Sequence, residues 1–382
     1  MNVCFWNDHF ALGGVERVNA FLGTELNKAE GVNVYLVAST PGTPYFKFEI
    51  ESHALAGEKA SSKKQQLRKA VEMFFNFGYY DAGRYQPQLM ADFISFVTAK
   101  EIEIVVVNQK NLATYLPFLK RKLPNVKFVS WMHESTDSYK FYENPQNSYE
   151  KSVFRRSRKR FEKAVASADC LVCLTQEEVP LFKQLNQNTI SIPNPITMEV
   201  SGKSSLTGTS IAFLGRMAIS HKGLDYLVQV AKDLPAGWQI EFGGDGPEKQ
   251  IFFDLLAEYD VADEIKLLGS LDDNGIKELF ERASLYIMTS RTEGFPLVLG
   301  EAMSFGLPII AFDQQGSREV LASGEYGVLV ENGNIRQMVA EIKRFTGNRD
   351  LMLEYQQKSL QRAADLSLDK IAKQWLALFK NL

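Results

Sequence analysis

The sequence predicts an α/β protein of two doubly wound parallel-sheet domains that face each other across a cleft. Short apolar runs alternate with amphipathic stretches, the pattern of parallel strands joined by crossover helices. A length of 382 residues is too great for one hydrophobic core and suits two domains. The alternation pauses at Pro193-Asn-Pro195 and a Ser-, Thr- and Gly-rich segment, 201–210, and then resumes, which predicts a linker there.

The first predicted domain spans residues 1–195. Its apolar runs predict buried strands at 3–6, 33–38, 103–108, 127–132, 170–174 and 189–192. Between the first two strands, apolar residues at helical spacing follow a Gly-Gly turn, which predicts a helix over 14–27.

The second predicted domain spans residues 205–365, with strands at 210–214, 239–242, 265–268, 285–288 and 308–312. The tail, 366–382, reads as an amphipathic helix with no strand after it. We expect this helix to pack back onto the first domain. Ligands of open parallel sheets bind beyond the carboxyl ends of the strands, so the functional loops should lie there.

Composition excludes some classes of protein. With 45% hydrophobic and 23% charged residues the chain is globular, and a net charge of -3 argues against nucleic-acid binding. Cys170 and Cys173 lie in an apolar run and are interpreted as buried residues rather than metal ligands, which fits a reducing cytoplasm. Neither a secretion signal nor a membrane-spanning run is recognised, so the sequence predicts a cytoplasmic protein with peripheral membrane contact at most.

The most informative segment runs from Thr289 to Pro308, where a strand enters a loop and Pro296 is predicted to open a helix. The backbone amides of Gly294, Phe295 and Leu297 should then surround the helix N-terminus. Because the helix dipole favours anions there, we expect a diphosphate at this point.

Two carboxylates, Glu293 and Glu301, flank this predicted phosphate site eight positions apart. A helical path would separate them by about 12 Å, which matches opposite ends of a nucleotide sugar and is too far to share one metal. We therefore assign Glu293 to the sugar and Glu301 to the ribose, with no metal site.

This pattern resembles the retaining GT-B glycosyltransferases of family 4, the "group 1" type. The resemblance rests on Glu293 and Glu301 in their signature spacing, and on Phe213-Leu-Gly-Arg216, Lys222-Gly223 and Gly243-Gly-Asp-Gly-Pro247 in family order. It implies an acceptor-binding first domain and a donor-binding second domain, each Rossmann-like. It also implies a nucleotide diphosphate sugar, weighted towards uridine, with no metal or other cofactor.

Two cations are predicted to meet the departing diphosphate. Heterolysis of the anomeric bond leaves growing negative charge, which Arg216 at a strand end and Lys222 at a helix start would neutralise. His221, beside Lys222, is interpreted as a bystander. Gly215 and Gly244 are assigned to the donor, although for the glycine turn at 243–246 an ordinary structural role is equally supported.

In the first domain, Gly13 and Gly14 follow the first strand and resemble the family's Gly-Gly loop near the donor phosphates and acceptor. A plain helix-start turn is the alternative. Arg17 is assigned to the acceptor, and a solvated helix turn containing Arg17 and Glu16 remains open.

His133 ends an apolar run at a predicted strand tip. A lone histidine is usually structural, but the family often carries one here against the donor sugar, so His133 joins the catalytic set and Glu134 the acceptor site. By the same resemblance we favour a front-face retaining path, which needs no nucleophile from the protein.

Residues 151–163 form a strongly basic stretch with Phe154 and Phe161 at helical spacing. This stretch fits either an anionic membrane surface or a solvated helix face. If it docks on the inner face of the cell membrane, the acceptor becomes a lipid-linked saccharide of cell-envelope polysaccharide synthesis rather than a free glycan.

Two other functions fit the same architecture. A sugar-nucleotide isomerase would convert the donor without an acceptor, and a non-catalytic subunit would bind a nucleotide sugar to support a partner enzyme. An idle subunit would be free to lose its charged residues, yet Arg216, Lys222, Glu293 and Glu301 are all present.

Overall fold

The chain folds into two compact units. The computed structural model describes residues 1–11, 13–46, 48–56, 63–75, 82–108, 110–136, 147–200 and 202–382. One unit comprises Met1–Pro195 with Leu368–Leu382, and the other comprises Ile196–Ser367.

The first unit is built on a seven-stranded parallel sheet in the order β3-β2-β1-β4-β5-β6-β7. Its strands are β1 (Asn2–Asn7), β2 (Asn33–Ala38), β3 (Glu51–Ala54), β4 (Ile104–Asn108), β5 (Lys127–Trp131), β6 (Cys170–Cys173) and β7 (Thr189–Ser191). Its helices are α1 (Gly14–Asn27), α2 (Lys63–Phe75), α3 (Ala82–Tyr85), α4 (Pro87–Ala99), α5 (Lys110–Ala113), α6 (Leu116–Lys122), α7 (Ser148–Val165) and α8 (Val179–Lys183), with a 3-10 turn at Gln176–Glu178.

The second unit contains a six-stranded parallel sheet in the order β10-β9-β8-β11-β12-β13. Its strands are β8 (Ser210–Leu214), β9 (Gln239–Gly243), β10 (Ile265–Gly269), β11 (Leu285–Met288), β12 (Ile309–Phe312) and β13 (Val328–Val330). The helices that follow in the chain are α9 (Ile219–Lys222), α10 (Leu224–Ala231), α11 (Lys249–Tyr259), α12 (Asp273–Arg282), α13 (Leu297–Ser304), α14 (Gln315–Val320), α15 (Ile335–Thr346), α16 (Arg349–Asp365) and α17 (Leu368–Lys380), with a 3-10 turn at Ala322–Gly324.

The central strands explain why apolar runs located the sheets. β4 is buried along its whole length, and β11 and β12 likewise. A parallel sheet covered by helices on both faces needs apolar side chains at every position, which produces continuous runs. The α/β prediction with two parallel sheets is confirmed.

The sequence missed two edge strands, β3 and β13. β3 carries Glu51, Ser52 and His53, all exposed, so it has no apolar run to detect. β13 has only three residues, which is too short for a periodic pattern. Edge strands bury less side-chain surface, and their sequences therefore carry a weaker signal.

The last helix, α17, belongs to the first unit. Trp375 is fully buried, with its ring 6.1 Å from that of Phe5 and 4.6 Å from that of Trp131. The helix begins two residues later than the sequence predicted, at Leu368. An aromatic cluster thus joins the end of the chain to β1 and β5.

The segment predicted to be a linker is hydrogen-bonded to the second unit. Ser204 N–H donates to the Phe305 carbonyl at 2.9 Å, and Gln356 Nε2 donates to the Ser204 carbonyl at 2.8 Å. Ile196 N–H donates to the Leu366 carbonyl at 2.9 Å. The described residues of this segment, 196–200 and 202–209, therefore belong to the second unit; Ser201 lies outside the described residues.

The cysteines are free thiols in the core. Cys4, Cys170 and Cys173 are all buried, and Cys170 and Cys173 begin and end β6. Burial, with a smaller effect of Asp169, raises the pKa of Cys170 to about 11. The interpretation of these two residues as buried apolar groups is confirmed.

Candidate active site

Three loops of the second unit meet at the carboxyl edge of its sheet. They follow β9, β8 and β11, which are neighbours in the sheet and run parallel. This edge is where open α/β sheets bind ligands, and the loops carry the residues predicted from the sequence.

The loops after β8 and β9 are packed tightly against each other. A Cβ added to Gly244, whose φ is +148°, would lie 1.9 Å from the carbonyl oxygen of Gly215. Met217 N–H donates to the Asp245 carbonyl at 2.9 Å. Glycine is thus required at 244 by packing between the loops, which supplies the structural role left open above. The assignment of Gly215 and Gly244 to the donor stays a prediction.

A second glycine brings the loop after β11 onto helix α9. Gly223, between α9 and α10, is left-handed with φ +62°, and a Cβ there would lie 2.0 Å from the Thr289 carbonyl oxygen. The Thr289 hydroxyl donates to the Lys222 carbonyl at 2.9 Å. Only glycine permits this close approach, and it fixes where the end of α9 lies.

The approach places Lys222 directly on Glu293. Lys222 Nζ donates to Glu293 Oε1 at 2.7 Å, and the two side chains are 17% and 12% exposed. Burial raises the pKa of Glu293, but the charges of Lys222 and His221 and the hydrogen bond from Lys222 outweigh it, so the pKa lies below its ordinary value. Glu293 is therefore a carboxylate at neutral pH.

His221, interpreted above as a bystander, is part of this cluster. His221 Nε2 lies 3.9 Å from Glu293 Oε2. Burial, aided by Lys222 and Arg216, lowers the pKa of His221 despite the opposing effect of Glu293. Adjacent residues of a helix point in different directions, so being next to Lys222 did not predict this contact.

Arg216 lies two residues beyond β8, and its side chain is exposed. Its charge helps to lower the pKa of His221, which places the guanidinium in the same electrostatic environment. Within the described parts of the chain Arg216 forms no ion pair. The site thus combines a cation held in an ion pair, Lys222, with one that faces solvent.

The helix after this loop begins one residue later than predicted. Pro296 is the extended residue that precedes α13, with φ -72° and ψ 94°, and Leu297 is the first helical residue. Glu293 and Glu301 are therefore not on one helix, and the estimate of 12 Å, which assumed helical geometry, does not apply. Gly294 and Phe295 lie in the loop before the helix; Glu301 is inside it and buried.

Both carboxylates act on one buried phenol. Burial and then the charges of Glu293 and Glu301 raise the pKa of Tyr286, against the effect of the hydrogen bond that its oxygen accepts from Leu214 N–H at 3.3 Å. The Tyr286 hydroxyl donates to the Leu214 carbonyl at 3.2 Å, at the end of β8. Glu293 and Glu301 are thus both close enough to Tyr286 to affect its ionisation, despite the irregular loop between them.

Gln314 fixes the loop from the other side. Its Oε1 accepts from Glu293 N–H at 3.1 Å and from Gly316 N–H at 2.9 Å. A Cβ on Gly316 would lie 2.8 Å from the Glu293 carbonyl oxygen. The backbone of Glu293 is therefore held by the segment after β12, a contact that no sequence motif indicated.

Arg291 anchors the same loop to α10. Its guanidinium donates to both oxygens of Asp225 at 2.8 and 2.6 Å and lies 4.0 Å from the centre of the Tyr226 ring. Its backbone N–H donates to the His221 carbonyl at 3.0 Å. Because these contacts span two loops, Arg291 sets the position of Glu293, two residues further on.

In the first unit, Gly13 precedes α1 with an extended backbone. A Cβ there would lie 2.2 Å from Glu16 Oε2, and burial raises the pKa of this Glu16 carboxyl, aided by Asp8 and opposed by a backbone hydrogen bond and His9. The Glu16 carboxyl group thus lies at the start of α1, beside Gly13. Contact of Gly13 and Gly14 with a donor or acceptor stays a prediction.

Arg17 and Glu134, assigned to the acceptor, are both in the first unit. The Arg17 guanidinium lies 5.8 Å from the centre of the Phe21 ring in α1. Glu134 is exposed. Neither position tests a role in acceptor binding, so both assignments remain predictions.

His133 lies two residues beyond β5 and is partly buried. Its ring is 4.3 Å from that of Trp131, and its Nε2 lies 3.3 Å from Asn108 Oδ1. Burial lowers the pKa of His133 to about 3. The imidazole is therefore neutral at physiological pH and carries no charge to offer a phosphate.

The basic stretch 151–163 forms most of α7. Lys151, Arg155 and Arg158 are exposed, whereas Phe161 is buried and Phe154 partly so. The aromatic residues thus turn towards the protein, and the solvent face offers charge rather than an apolar surface. In the described ranges, none of the helices is both long enough and apolar enough to pass through a bilayer.

Comparison with known sequences reveals relatives of both units. Residues 200–362 match the family described as "Glycosyl transferases group 1". The chain is 28% identical over 371 residues to an uncharacterized glycosyltransferase of Haemophilus influenzae, covering 95% of each. It is 24% identical over 245 residues to a poly(ribitol-phosphate) alpha-N-acetylglucosaminyltransferase of Staphylococcus aureus, covering 62% of this chain and 49% of that one.

Solved structures share the fold at lower identity. An Anabaena protein, HepE, solved in complex with UDP, superposes with a TM-score of 0.75 at 14% identity over 100% of both chains. Together with the two parallel sheets, such similarities identify the fold as GT-B.

Proposed function

We propose that this chain is a group 1 glycosyltransferase and that it transfers a hexosyl or N-acetylhexosaminyl group from a UDP-sugar to a glycan or lipid-linked saccharide. We propose further that the anomeric configuration is retained and that no metal or other cofactor takes part. The observation that carries the proposal is the buried ion pair of Lys222 and Glu293, together with an exposed guanidinium, Arg216, whose charge lowers the pKa of His221 in the same cluster.

The donor diphosphate has two sources of positive potential in this arrangement. Arg216 and Lys222 supply full charges, and the N-terminus of α13, with the backbone amides of Gly294, Phe295 and Leu297, supplies partial positive charge. A cation fixed by an ion pair needs little reorganisation when charge develops on the phosphate. The UDP bound by HepE supports a uridine nucleotide.

The carboxylates then bind the two ends of the donor. Glu293, kept ionised by Lys222, accepts hydrogen bonds from sugar hydroxyls, and Glu301 does so from the ribose. Because Lys222 touches both Glu293 and the diphosphate in this proposal, it links recognition of the sugar to departure of the leaving group. The alpha-N-acetylglucosaminyl specificity of the Staphylococcus aureus relative supports a hexosamine as one candidate sugar.

In the proposed reaction the bond between the anomeric carbon and the distal phosphate oxygen breaks, and its electron pair leaves with the diphosphate. The acceptor hydroxyl oxygen bonds to the anomeric carbon from the same face. Its proton passes to the departing phosphate oxygen, which balances the charge. The protein contributes positioning and charge stabilisation, and it needs no nucleophile of its own.

The acceptor is proposed to bind the first unit through Arg17 and Glu134. If the acceptor is lipid-linked, the cationic face of α7 would hold the enzyme at an anionic bilayer on the cytoplasmic side. Such a location suits synthesis of a cell-envelope polysaccharide, and the ribitol-phosphate polymer named for the Staphylococcus aureus relative supports this setting.

A panel of nucleotide sugars tests the proposal. Each is added to the protein, and thermal stability and slow hydrolysis are measured with and without EDTA. We expect one donor to raise the midpoint of unfolding and to be turned over, with no loss of rate in EDTA. Stabilisation by no nucleotide sugar would refute the donor, and loss of activity in EDTA would refute metal independence.

The product of the active donor then separates transfer from other chemistry. Addition of a glycan or lipid-linked acceptor should raise the rate and give a product with the donor's anomeric configuration, as read by NMR. A converted nucleotide sugar formed without any acceptor would instead establish an isomerase.

A further inference from the structure

Buried asparagines connect the His133 ring to the sheet of the first unit. Asn7 and Asn108 end the adjacent strands β1 and β4, and Asn19 lies in α1; all are at most 1% exposed. Asn7 Oδ1 accepts from Asn19 Nδ2 at 2.8 Å and from Asn108 Nδ2 at 2.9 Å. Asn108 Oδ1 in turn lies 3.3 Å from His133 Nε2. These side chains form the asparagine chain.

The direction of the hydrogen bonds fixes where the imidazole proton lies. An amide oxygen only accepts and an amide nitrogen only donates. Asn7 accepts with its oxygen from both neighbours, so Asn108 uses its nitrogen on Asn7 and turns its oxygen to the ring. His133 Nε2 must therefore carry a hydrogen.

Exchanging the side-chain nitrogen and oxygen of all three asparagines would also pair donors with acceptors. In that arrangement His133 Nε2 would accept, and the imidazole proton would lie on Nδ1. The atoms left over decide between the two arrangements. Asn19 Oδ1 and His133 Nδ1 are buried and have no hydrogen-bond partner in the described parts of the chain. Reversal would replace these two acceptors by N–H donors, and a buried donor without a partner is rarer than a buried acceptor without one.

We infer that the asparagine chain holds His133 as the neutral tautomer with its proton on Nε2, and that Asn7, Asn19 and Asn108 are positioning residues for this ring. In this tautomer the other ring nitrogen, Nδ1, carries no hydrogen and is a hydrogen-bond acceptor. This buried acceptor repels a phosphate oxygen, which also only accepts. This consequence for the substrate rests on the proposed function, whereas the tautomer does not.

Nitrogen NMR of the full chain labelled with [15N]histidine tests the tautomer without any substrate. The chain has 4 histidines, and the His133→Gln variant identifies the signals of His133 by their loss. We expect a protonated-type shift for Nε2 and an unprotonated-type shift for Nδ1 at neutral pH. The reverse pattern, or rapid exchange between the two tautomers in the wild type, overturns the inference.

Variants of Asn108 test whether the asparagine chain is the cause. Asn108→Ala should give averaged tautomer signals, whereas Asn108→Asp keeps an acceptor opposite Nε2 and should preserve the wild-type pattern. Asn186→Ala is the control, because Asn186 is a buried asparagine of the same unit that donates instead to the Val165 and Ala168 carbonyls at 3.0 and 2.9 Å. Tautomer signals in Asn108→Ala identical to those of the wild type would overturn the role of Asn108.

Turnover separates this inference from the proposed function. With an active donor, Asn108→Ala should lose about 10-fold in kcat with Asn186→Ala unchanged, since misplacement of a positioning group costs catalysis. Wild-type kcat in Asn108→Ala would overturn the positioning role and leave the proposed function intact. Absence of turnover in the wild type on every nucleotide sugar would refute the proposed function, while the tautomer pattern stands or falls by NMR.

Discussion

Glu293 stays ionised inside the second unit because Lys222 lies against it, with 2.7 Å between Lys222 Nζ and Glu293 Oε1. The two residues are 71 positions apart in the chain. Left-handed Gly223 and the hydroxyl of Thr289 bring their loops together. Substitutions in and around this ion pair should therefore affect turnover and stability in ways that can be measured separately.

Arg216→Ala should lower turnover by about 100-fold or more, because removal of a preorganised charge partner costs that much at the transition state. The midpoint of thermal unfolding should not change, since the side chain is exposed. Lys232→Ala, an exposed lysine of the same unit, is the control. Steady-state kinetics on the active donor provide the measurement, and unchanged turnover would remove Arg216 from the site.

Lys222→Ala should lower turnover by about 100-fold or more and also destabilise the fold. Removing one partner of a buried ion pair leaves the other charge uncompensated, which costs about 3 kcal/mol in the free energy of unfolding. Denaturant unfolding at neutral pH measures this loss. A fully stable variant would show that the ion pair does not exist in solution.

The pH dependence of stability identifies Glu293 as the group responsible. In the wild type its pKa is lowered from 4.5, so its contribution to stability is present above that value and is lost as pH falls through the folded pKa. Without Lys222, burial raises the pKa of Glu293. The loss of unfolding free energy in Lys222→Ala should therefore be greatest near neutral pH, and it should shrink as pH falls towards 4.5. The added change Glu293→Gln should abolish this pH dependence; its persistence would point to another group.

Arg291→Lys should reduce both turnover and stability, although it preserves the charge. Lysine cannot reproduce the paired hydrogen bonds to Asp225 or the stacking on Tyr226. We expect a loss of about 1–2 kcal/mol in the free energy of unfolding and about 10-fold in kcat as the loop of Glu293 loosens. Arg336→Lys, an exposed arginine of the same unit, is the control.

Gly244→Ala should destabilise the second unit strongly, because the new Cβ would lie 1.9 Å from the Gly215 carbonyl oxygen. Gly237→Ala is the matched control: Gly237 has φ +81° and nothing within 4 Å, so alanine there costs only backbone strain. We expect the free energy of unfolding to fall by about 1 kcal/mol in Gly237→Ala and by at least about 3 kcal/mol in Gly244→Ala. Equal losses in denaturant unfolding would contradict the packing of the two loops.

Trp375→Ala should lower the free energy of unfolding by about 3–5 kcal/mol, as expected for loss of a fully buried aromatic side chain. The lost contacts are with Phe5 and Trp131, so the first unit should unfold earlier in denaturant. Gln374→Ala, on the exposed side of the same helix, should be neutral. If Trp375→Ala were equally neutral, α17 would not be part of the first unit in solution.

The sequence predicted the parts of the fold whose physics is local or repetitive. Helix α1 was predicted with its observed bounds, since a Gly-Gly turn and a 3.6-residue apolar period mark it. β2, β8 and β11 were also predicted residue for residue, because buried parallel strands are continuous apolar runs. The edge strands β3 and β13 lack such runs and were missed.

The contacts within the site were less accessible from the sequence. Motif order identified Lys222 and Glu293 separately, but their contact depends on the left-handed Gly223 and its approach to Thr289, which only the folded chain displays. The roles of Arg291 and Gln314 depend on pairing between segments distant in the chain, for which a single sequence holds no pattern. The prediction that Pro296 opens the helix was wrong by one residue, because proline occupies the extended position before α13.

A crystal structure with a UDP-sugar bound tests the central claim most directly. The account predicts the distal phosphate within hydrogen-bonding distance of Arg216 and Lys222, with the first amides of α13 beside it and sugar hydroxyls on Glu293. A diphosphate bound away from both cations would contradict it.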